Sequence, residues 1–368
     1  MRIGIMTQAL HGNYGGILQN FALQRILCDM GHSAVTIDRH IYRSKSVFKN
    51  AIKKILRLSK PCYDSSMLTP SEKKILNSNQ IEFVDKHIDR IGPLMSQTEF
   101  DKTVNDEKFD AFIVGSDQCW RPCYSANIAN YFLDFAADKD VKRIAYAASF
   151  GVDDWEYTDE QTRLAAKLAK EMDAVSVREE SGQKLCKKYL GVDASWVLDP
   201  TLLLGKAGFQ QFVNHEASSE GFITEYLLED SDETAALREE AKKQLGLTVC
   251  KDNNKSKVFK RLTPLSRYKN ISVEEWITNI ACAKFVITDS FHGAVFALMF
   301  NVPFVVRLNE VRGNARIESL LRDLRLEHCI CKKTTGFRIP EIDWDYVNGH
   351  LKQRQAESLE FLEKALEN

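Results

Sequence analysis

RIGIMTQALHGNYGGILQNFALQRILCDMGHSAVTID, residues 2–38, decides the fold. The apolar run Arg2 to Met6 predicts a strand and His11 to Gly16 a turn. Ile17 to Met30 then repeats its apolar residues one helical turn apart, Ile17 with Phe21 and Leu18 with Ala22. Gly31 stops that helix, and Ala34 to Ile37 supply the next apolar strand. The segment is therefore a β–α–β unit, and its two strands must run parallel.

Working outward, the alternation recurs. Phe112 to Val114, Arg143 to Ala147, Ala174 to Val177 and Trp196 to Leu198 are strand-like runs between longer helical ones. Past Pro200 it restarts with Phe222 to Leu227, Leu247 to Val249, Phe285 to Ile287 and Pro303 to Val306. This is an α/β chain with two doubly wound, parallel-sheet domains facing each other across a cleft, divided as 1–200 and 201–368. A closing amphipathic helix over 344–366 is expected, placed to pack back on the first domain.

The 368 residues exceed what one hydrophobic core usually holds, which agrees with two domains. With 44% hydrophobic and 27% charged residues the chain reads as globular, and a net charge of −1 gives no global reason to expect nucleic acid. No uninterrupted apolar run is long enough to span a bilayer, and the first residues turn polar too soon for a signal peptide, so a cytoplasmic protein is expected. Nine scattered cysteines without paired spacing point to small buried hydrophobes and to no metal; no cofactor is expected. From Arg39 to Lys60 there are eight Lys or Arg and no acid, with Phe48, Ile52, Ile55 and Leu56 at helical spacing. That basic segment, 39–60, fits a solvated face, or a peripheral contact with the inner face of a membrane or with a pyrophosphate-bearing acceptor.

In an open parallel sheet the ligand lies beyond the carboxyl ends of the strands, where unpaired helix N–H groups converge. The polar residues of this chain gather there: Ser116, Asp117 and Gln118; Ser149 and Gly151; Arg178 and Glu179; Asp199; Asp289, Ser290 and His292. Ser116, Asp117 and Ser290 also suit helix capping. A guanidinium at a helix start opposes the helix dipole, so Arg178 points to a bound anion, and an imidazole at position 292 places a proton donor among anion-binding amides. The turn 11–16 is rich in glycine but lacks both the dinucleotide fingerprint and a phosphate-loop lysine. Asp230, Ser231 and Asp232 have the form of a metal-binding acid pair, but they sit in an acidic run and read as surface loop.

Seven blocks taken together carry a resemblance: GNYGGILQNFALQ (12–24), VGSDQCW (114–120), YAASFG (146–151), SVREESG (176–182), VLDPTLLL (197–204), TDSFHGAVFALMF (288–300) and RGNARIESLL (312–321). In this order they resemble the polysaccharide pyruvyltransferase family. The resemblance implies a GT-B-like pair of Rossmann-type domains. It also implies a reaction in which phosphoenolpyruvate gives its enolpyruvyl group to two hydroxyls of a saccharide acceptor, free or lipid-linked, during surface polysaccharide synthesis.

That chemistry needs a general acid, cationic clamps and a base. His292 is expected as the acid, and Asp117, Glu179 or Asp289 as the base. Arg178 and Arg316 are expected as clamps, with Ser290, Gly293 and Asn314 beside the donor. Some members of the family carry an Arg two residues before the His; here that position is Ser290, so Arg307 or Arg316 must supply the missing charge. Asn13, Tyr14, Gly15, Gln118 and Trp120 have the amide and aromatic types that suit an acceptor sugar. Two competing expectations are a GT-B glycosyltransferase using a nucleotide sugar and a non-catalytic saccharide-binding protein of the same build.

Overall fold

Short aliphatic runs buried on both faces make the strands, as parallel sheets covered by helices require: AFIV at 111–114 and FVIT at 285–288 are buried at every position. The structure is a computed structural model and describes residues 1–40, 62–64, 67–125, 127–218, 221–229, 231–253, 258–260, 262–308, 313–334 and 336–367. Its strands are β1 (Arg2–Met6), β2 (Ser33–Arg39), β3 (Cys62–Asp64), β4 (Arg90–Leu94), β5 (Ala111–Val114), β6 (Lys142–Ala148), β7 (Ala174–Val177) and β8 (Ser195–Trp196). They continue as β9 (Ile223–Tyr226), β10 (Cys250–Asp252), β11 (Val258–Lys260), β12 (Phe285–Thr288) and β13 (Phe304–Val306).

The first sheet has seven strands in the order β4-β2-β1-β5-β6-β7-β8, all parallel. The second has four, β10-β9-β12-β13, also all parallel. Each has one place where the chain reverses the direction in which it adds strands, between β1 and β5 in the first and between β9 and β12 in the second. Such switch points open a crevice at the carboxyl ends of the strands. A separate antiparallel pair, β3 with β11, joins chain segments from either side of residue 200.

Between the sheets the interior is continuous. One apolar cluster runs from Leu10, Tyr14 and Ile17 through Leu202 and Phe209 to Trp276, Phe291 and Phe296. Each such large side chain contributes about 1.5–3 kcal/mol on burial, which holds the two sheets against each other. Helix Trp344–Glu367 starts on this cluster with Val347 and Leu351 and ends on the first sheet, where Leu362, Ala365 and Leu366 meet Ile3 and Ile5.

The expected strand Leu247 to Val249 is displaced: the chain pairs with β9 at Cys250–Asp252 instead, while Leu247 packs from the side. The first helix begins three residues before the expected Ile17, at Tyr14, so Gly15 and Gly16 belong to its first turn. Of the basic segment 39–60, Arg39 and His40 are described. Arg39 is buried, with its guanidinium on the carbonyls of His40 and Leu94 and on Gln97. Residues 41–60, and Asp230 of the acidic triplet, lie outside the described residues. No helix among the described residues is long and apolar enough to cross a membrane.

Candidate active site

The two switch points face each other, and the residues that follow their strands interlock. After β5, the backbone turns sharply through Gly115 and Asp117, both at positive φ (125° and 66°). This conformation is costly for an aspartate and brings its carboxylate inward. After β7 comes Arg178, after β8 Asp199, and after β12 the helix Phe291–Met299 with His292 in its first turn.

Arg178 is the hub. Its Nη1 donates to Asp199 Oδ2 at 2.7 Å, its Nη2 to Asp117 Oδ1 at 2.9 Å, and its Nε lies 4.0 Å from Glu179 Oε2. The side chains of Arg178, Glu179 and Asp199 have no exposure at all. Burial opposes the charge on Arg178, but Asp117, Asp199 and Glu179 outweigh it and fix the guanidinium in its protonated form. Burial would likewise raise Asp117, yet Arg178, then His292 and Arg316, hold it below the usual carboxylate range. Asp199 is held well below that range against the same burial, by His292 and Arg178. Glu179 goes the other way, because burial pushes it up more than Arg178 and Arg316 pull it down. Its Oε1 accepts from the N–H of Phe150 at 2.9 Å and of Gly151 at 3.4 Å.

The second sheet's side contributes three groups. His292 Nε2 lies 3.7 Å from Asp199 Oδ2, an ion-pair distance too long for a hydrogen bond. Phe291, beside it, presents its ring to two cations, with Cζ of Arg178 at 4.8 Å and of Arg316 at 5.8 Å from its centroid. Arg316, in helix Ala315–Asp323, brings Nη1 to 3.9 Å from Asp117 Oδ1. Burial and then the like charge of Arg178 draw Arg316 down to about 10.

Two glycines let the sides approach this closely. A Cβ on Gly15 would fall 2.0 Å from His292 Nδ1, and one on Gly313 would fall 2.0 Å from the Gly151 carbonyl oxygen. The first contact lays the imidazole on the N-terminal turn of helix Tyr14–Asp29, whose first N–H groups have no intrahelical acceptor.

The structure thus gathers Asp117, Arg178, Glu179, His292 and Arg316 and leaves other expected residues elsewhere. Asp289 uses both oxygens to accept the N–H groups of Leu228 and Glu229, at 2.6 and 2.9 Å, and so ties down the loop after β9. Arg307 pairs with Glu233 and donates to the carbonyls of Cys331 and Lys332, so the charge absent at Ser290 comes into the cluster with Arg316 alone of the two candidates. Ser290 opens the His292 helix, its own N–H bonded to Thr288 Oγ1. Gly293 packs on that same hydroxyl, where a Cβ would sit 2.2 Å away. Asn314 starts the Arg316 helix.

Two acceptor expectations need correction. Tyr14 is not an open sugar platform: its ring stacks on Trp276 at 5.4 Å and its hydroxyl donates to the Ile271 carbonyl. Trp120 is fully buried, stacked on Phe132 at 4.8 Å with its indole N–H on the Tyr131 carbonyl. Both rings are consumed by packing. Asn13 is exposed at the start of its helix, and Gln118 is partly so. An aromatic that does reach solvent is Tyr124, 37% exposed, with the Arg121 guanidinium 5.2 Å from its ring. Arg121 in turn donates to Gln118 Oε1 at 3.3 Å. Sequence reading placed Ser116 and Asp199 at strand ends but gave neither a role at the site; the Ser116 hydroxyl donates to Asp199 Oδ2 at 2.9 Å, a contact with no mark in the sequence. No group of three or more His, Cys, Asp and Glu among the described residues is disposed to hold a metal ion.

A family model described as polysaccharide pyruvyl transferase matches residues 13–310. No curated protein matches the chain by sequence. Among solved structures, a UDP-GlcNAc 2-epimerase from Neisseria meningitidis bound to UDP-GlcNAc is similar at a TM-score of 0.53 with 9% identity, over 100% of this chain and 99% of that one. An Arabidopsis thaliana protein complexed with UDP-L-rhamnose is similar at 0.52 with 8% identity, over 98% and 97%. At such identities the likeness shows the fold alone, the GT-B-like arrangement of two parallel sheets.

Proposed function

The chain belongs to the polysaccharide pyruvyl transferase family, and from that premise we propose that it transfers the enolpyruvyl group of phosphoenolpyruvate to two hydroxyls of one saccharide as a cyclic ketal. The observation that carries this reading is Arg316. Its guanidinium is brought into a buried site already holding Arg178, and its charge is disfavoured there. An arriving anion relieves that penalty, and a carboxylate or phosphate matches the guanidinium fork. Arg316 is therefore the donor clamp, while Arg178, taken up by Asp117 and Asp199, is the cation that keeps those carboxylates in place.

In the reaction His292 gives a proton to the methylene carbon of the donor, which becomes a methyl group and leaves an oxocarbenium-like centre. One sugar hydroxyl adds to that centre, the C–O bond to phosphate breaks, and the second hydroxyl closes the ketal. Of the two hydroxyl protons lost, one replaces the proton given by His292 and the other leaves with inorganic phosphate. Glu179, held toward its protonated form, is the proton reservoir next to the clamp. Asn13, Gln118 and Tyr124 form the acceptor rim, with the tyrosine ring offering the apolar face that a pyranose stacks on. We propose that residues 1–200 supply this acceptor side and 201–368 the donor side.

The test is saccharide-dependent phosphate release from phosphoenolpyruvate by the full chain, with His292→Gln beside it. Release that requires the saccharide and disappears in the variant supports the reading. A full chain stabilised by UDP-sugars and not by saturating phosphoenolpyruvate would replace it with a nucleotide-sugar transferase.

A further inference from the structure

The imidazole of His292 is caught between two neighbours of opposite character. Its Nε2 faces Asp199 Oδ2 at 3.7 Å and makes no hydrogen bond among the described residues, and its Nδ1 lies over Gly15 in the first turn of helix Tyr14–Asp29. Among the described residues, Asp199 and Asp117 act on the ring, and Arg178 and Arg316 hold those carboxylates in turn. Of these, Asp199 is the one set opposite a ring nitrogen at ion-pair distance.

Asp199 cannot turn away. Oδ1 accepts from the backbone N–H and the hydroxyl of Thr201, at 3.0 and 2.6 Å. Oδ2 accepts from Arg178 at 2.7 Å and from the Ser116 hydroxyl at 2.9 Å. A neutral imidazole carries one N–H, and a fixed carboxylate decides which nitrogen holds it.

Resting on the proposed role of His292, we propose that Asp199 is its positioning residue: in the imidazolium the carboxylate holds one proton on Nε2, so the proton given to the donor methylene carbon is the one on Nδ1, and the neutral Nε2–H ring left behind takes a proton back at Nδ1 from the sugar hydroxyl. Asp199 touches no substrate in this scheme. It acts through the ring, as an outer carboxylate does behind a metal-bound or catalytic histidine. Ser116 and Thr201, which no catalytic role requires, acquire a reason to be where they are.

The experiment uses the full chain with 15N-labelled histidine. His292→Gln identifies the resonance, and long-range proton–nitrogen spectra read the tautomer. The neutral form of the wild-type ring is expected as Nε2–H. Asp199→Asn presents an amide N–H to the same face and should move the ring toward Nδ1–H, with turnover of phosphoenolpyruvate falling about 10²-fold or more. Thr201→Val keeps the charge but frees Oδ1, so it should give a mixture of tautomers and an intermediate loss of rate. It carries the test if Asp199→Asn does not fold. An Nδ1–H wild type, or a tautomer indifferent to both substitutions while His292→Gln is inactive, overturns this inference and leaves the donor reading standing. Wild-type turnover in His292→Gln overturns both.

Discussion

The imidazole of His292 rests on Gly15, 277 residues earlier in the chain, so closely that a Cβ at position 15 would lie 2.0 Å from Nδ1. A glycine at the start of the first helix is therefore required by a side chain of the opposite sheet. Gly15→Ala should push the ring out of the cluster. Overpacking of this kind costs about 1–3 kcal/mol, within reach of a folded protein, whereas loss of a placed acid lowers turnover about 10²–10⁴-fold. The check is a melting curve alongside phosphate release: a variant that melts near wild type yet is inactive is expected, and an active one would show that the contact is incidental.

Arg316 and Arg178 should fail differently when replaced. Arg316→Lys loses the forked contact with the donor, about 1.5–3 kcal/mol of binding for a charged hydrogen bond, while the buried carboxylates keep Arg178. Calorimetry with phosphoenolpyruvate should show affinity reduced about 10–100-fold and an unchanged fold.

Arg178→Ala, by contrast, strands Asp117 and Asp199 without their cation. Breaking a buried pair in this way costs about 3–5 kcal/mol, so the expected outcome is a large drop in unfolding free energy measured by denaturant, ahead of any effect on binding.

The buried carboxylates also set the pH response. Asp117 and Asp199 titrate below their unfolded value of 3.8, so the stability they contribute is complete above that value and is lost as the pH falls through their depressed folded values. Glu179 is raised above 4.5, so its contribution is complete below 4.5 and is lost as the pH climbs through its folded value. Glu179→Gln should therefore melt at or above wild type near neutral pH, and Asp199→Asn below it. Melting curves across pH for the three chains check the sign; a Glu179→Gln chain that is destabilised only at neutral pH would reverse it.

The opening β–α–β unit was legible because its apolar spacing is dense and Gly31 stops the helix. The edge strand β4 was not, since Gly92 and Pro93 fall inside it and a proline is tolerated there only because the strand lies at the rim of the sheet. β10 escaped because CKD carries no apolar pattern and is a strand only through its pairing with β9. At the site, strand-end position put Asp117, Arg178, Glu179, Asp199 and His292 among the candidates, the helix dipole drew attention to Arg178 and His292, and the family resemblance gave Asp117 and Glu179 their roles. The same rule could not tell Asp199 from a helix cap, because its importance arises only when Arg178 and His292 arrive from other strands. Tyr14 and Trp120 suited a sugar by side-chain type, but Trp276 and Phe132 stack on them, and neither contact is marked by any spacing in the sequence.

The central claim, protonation of a phosphoenolpyruvate methylene carbon and ketal formation on a saccharide, is tested most directly with 13C-labelled phosphoenolpyruvate and a saccharide acceptor in heavy water. Carbon NMR of the purified saccharide is predicted to show the label as a quaternary ketal carbon whose methyl group carries one solvent deuterium, and to show none with His292→Gln. Label confined to unreacted donor or to free pyruvate, or a saccharide carrying an intact methylene enol ether, would contradict it.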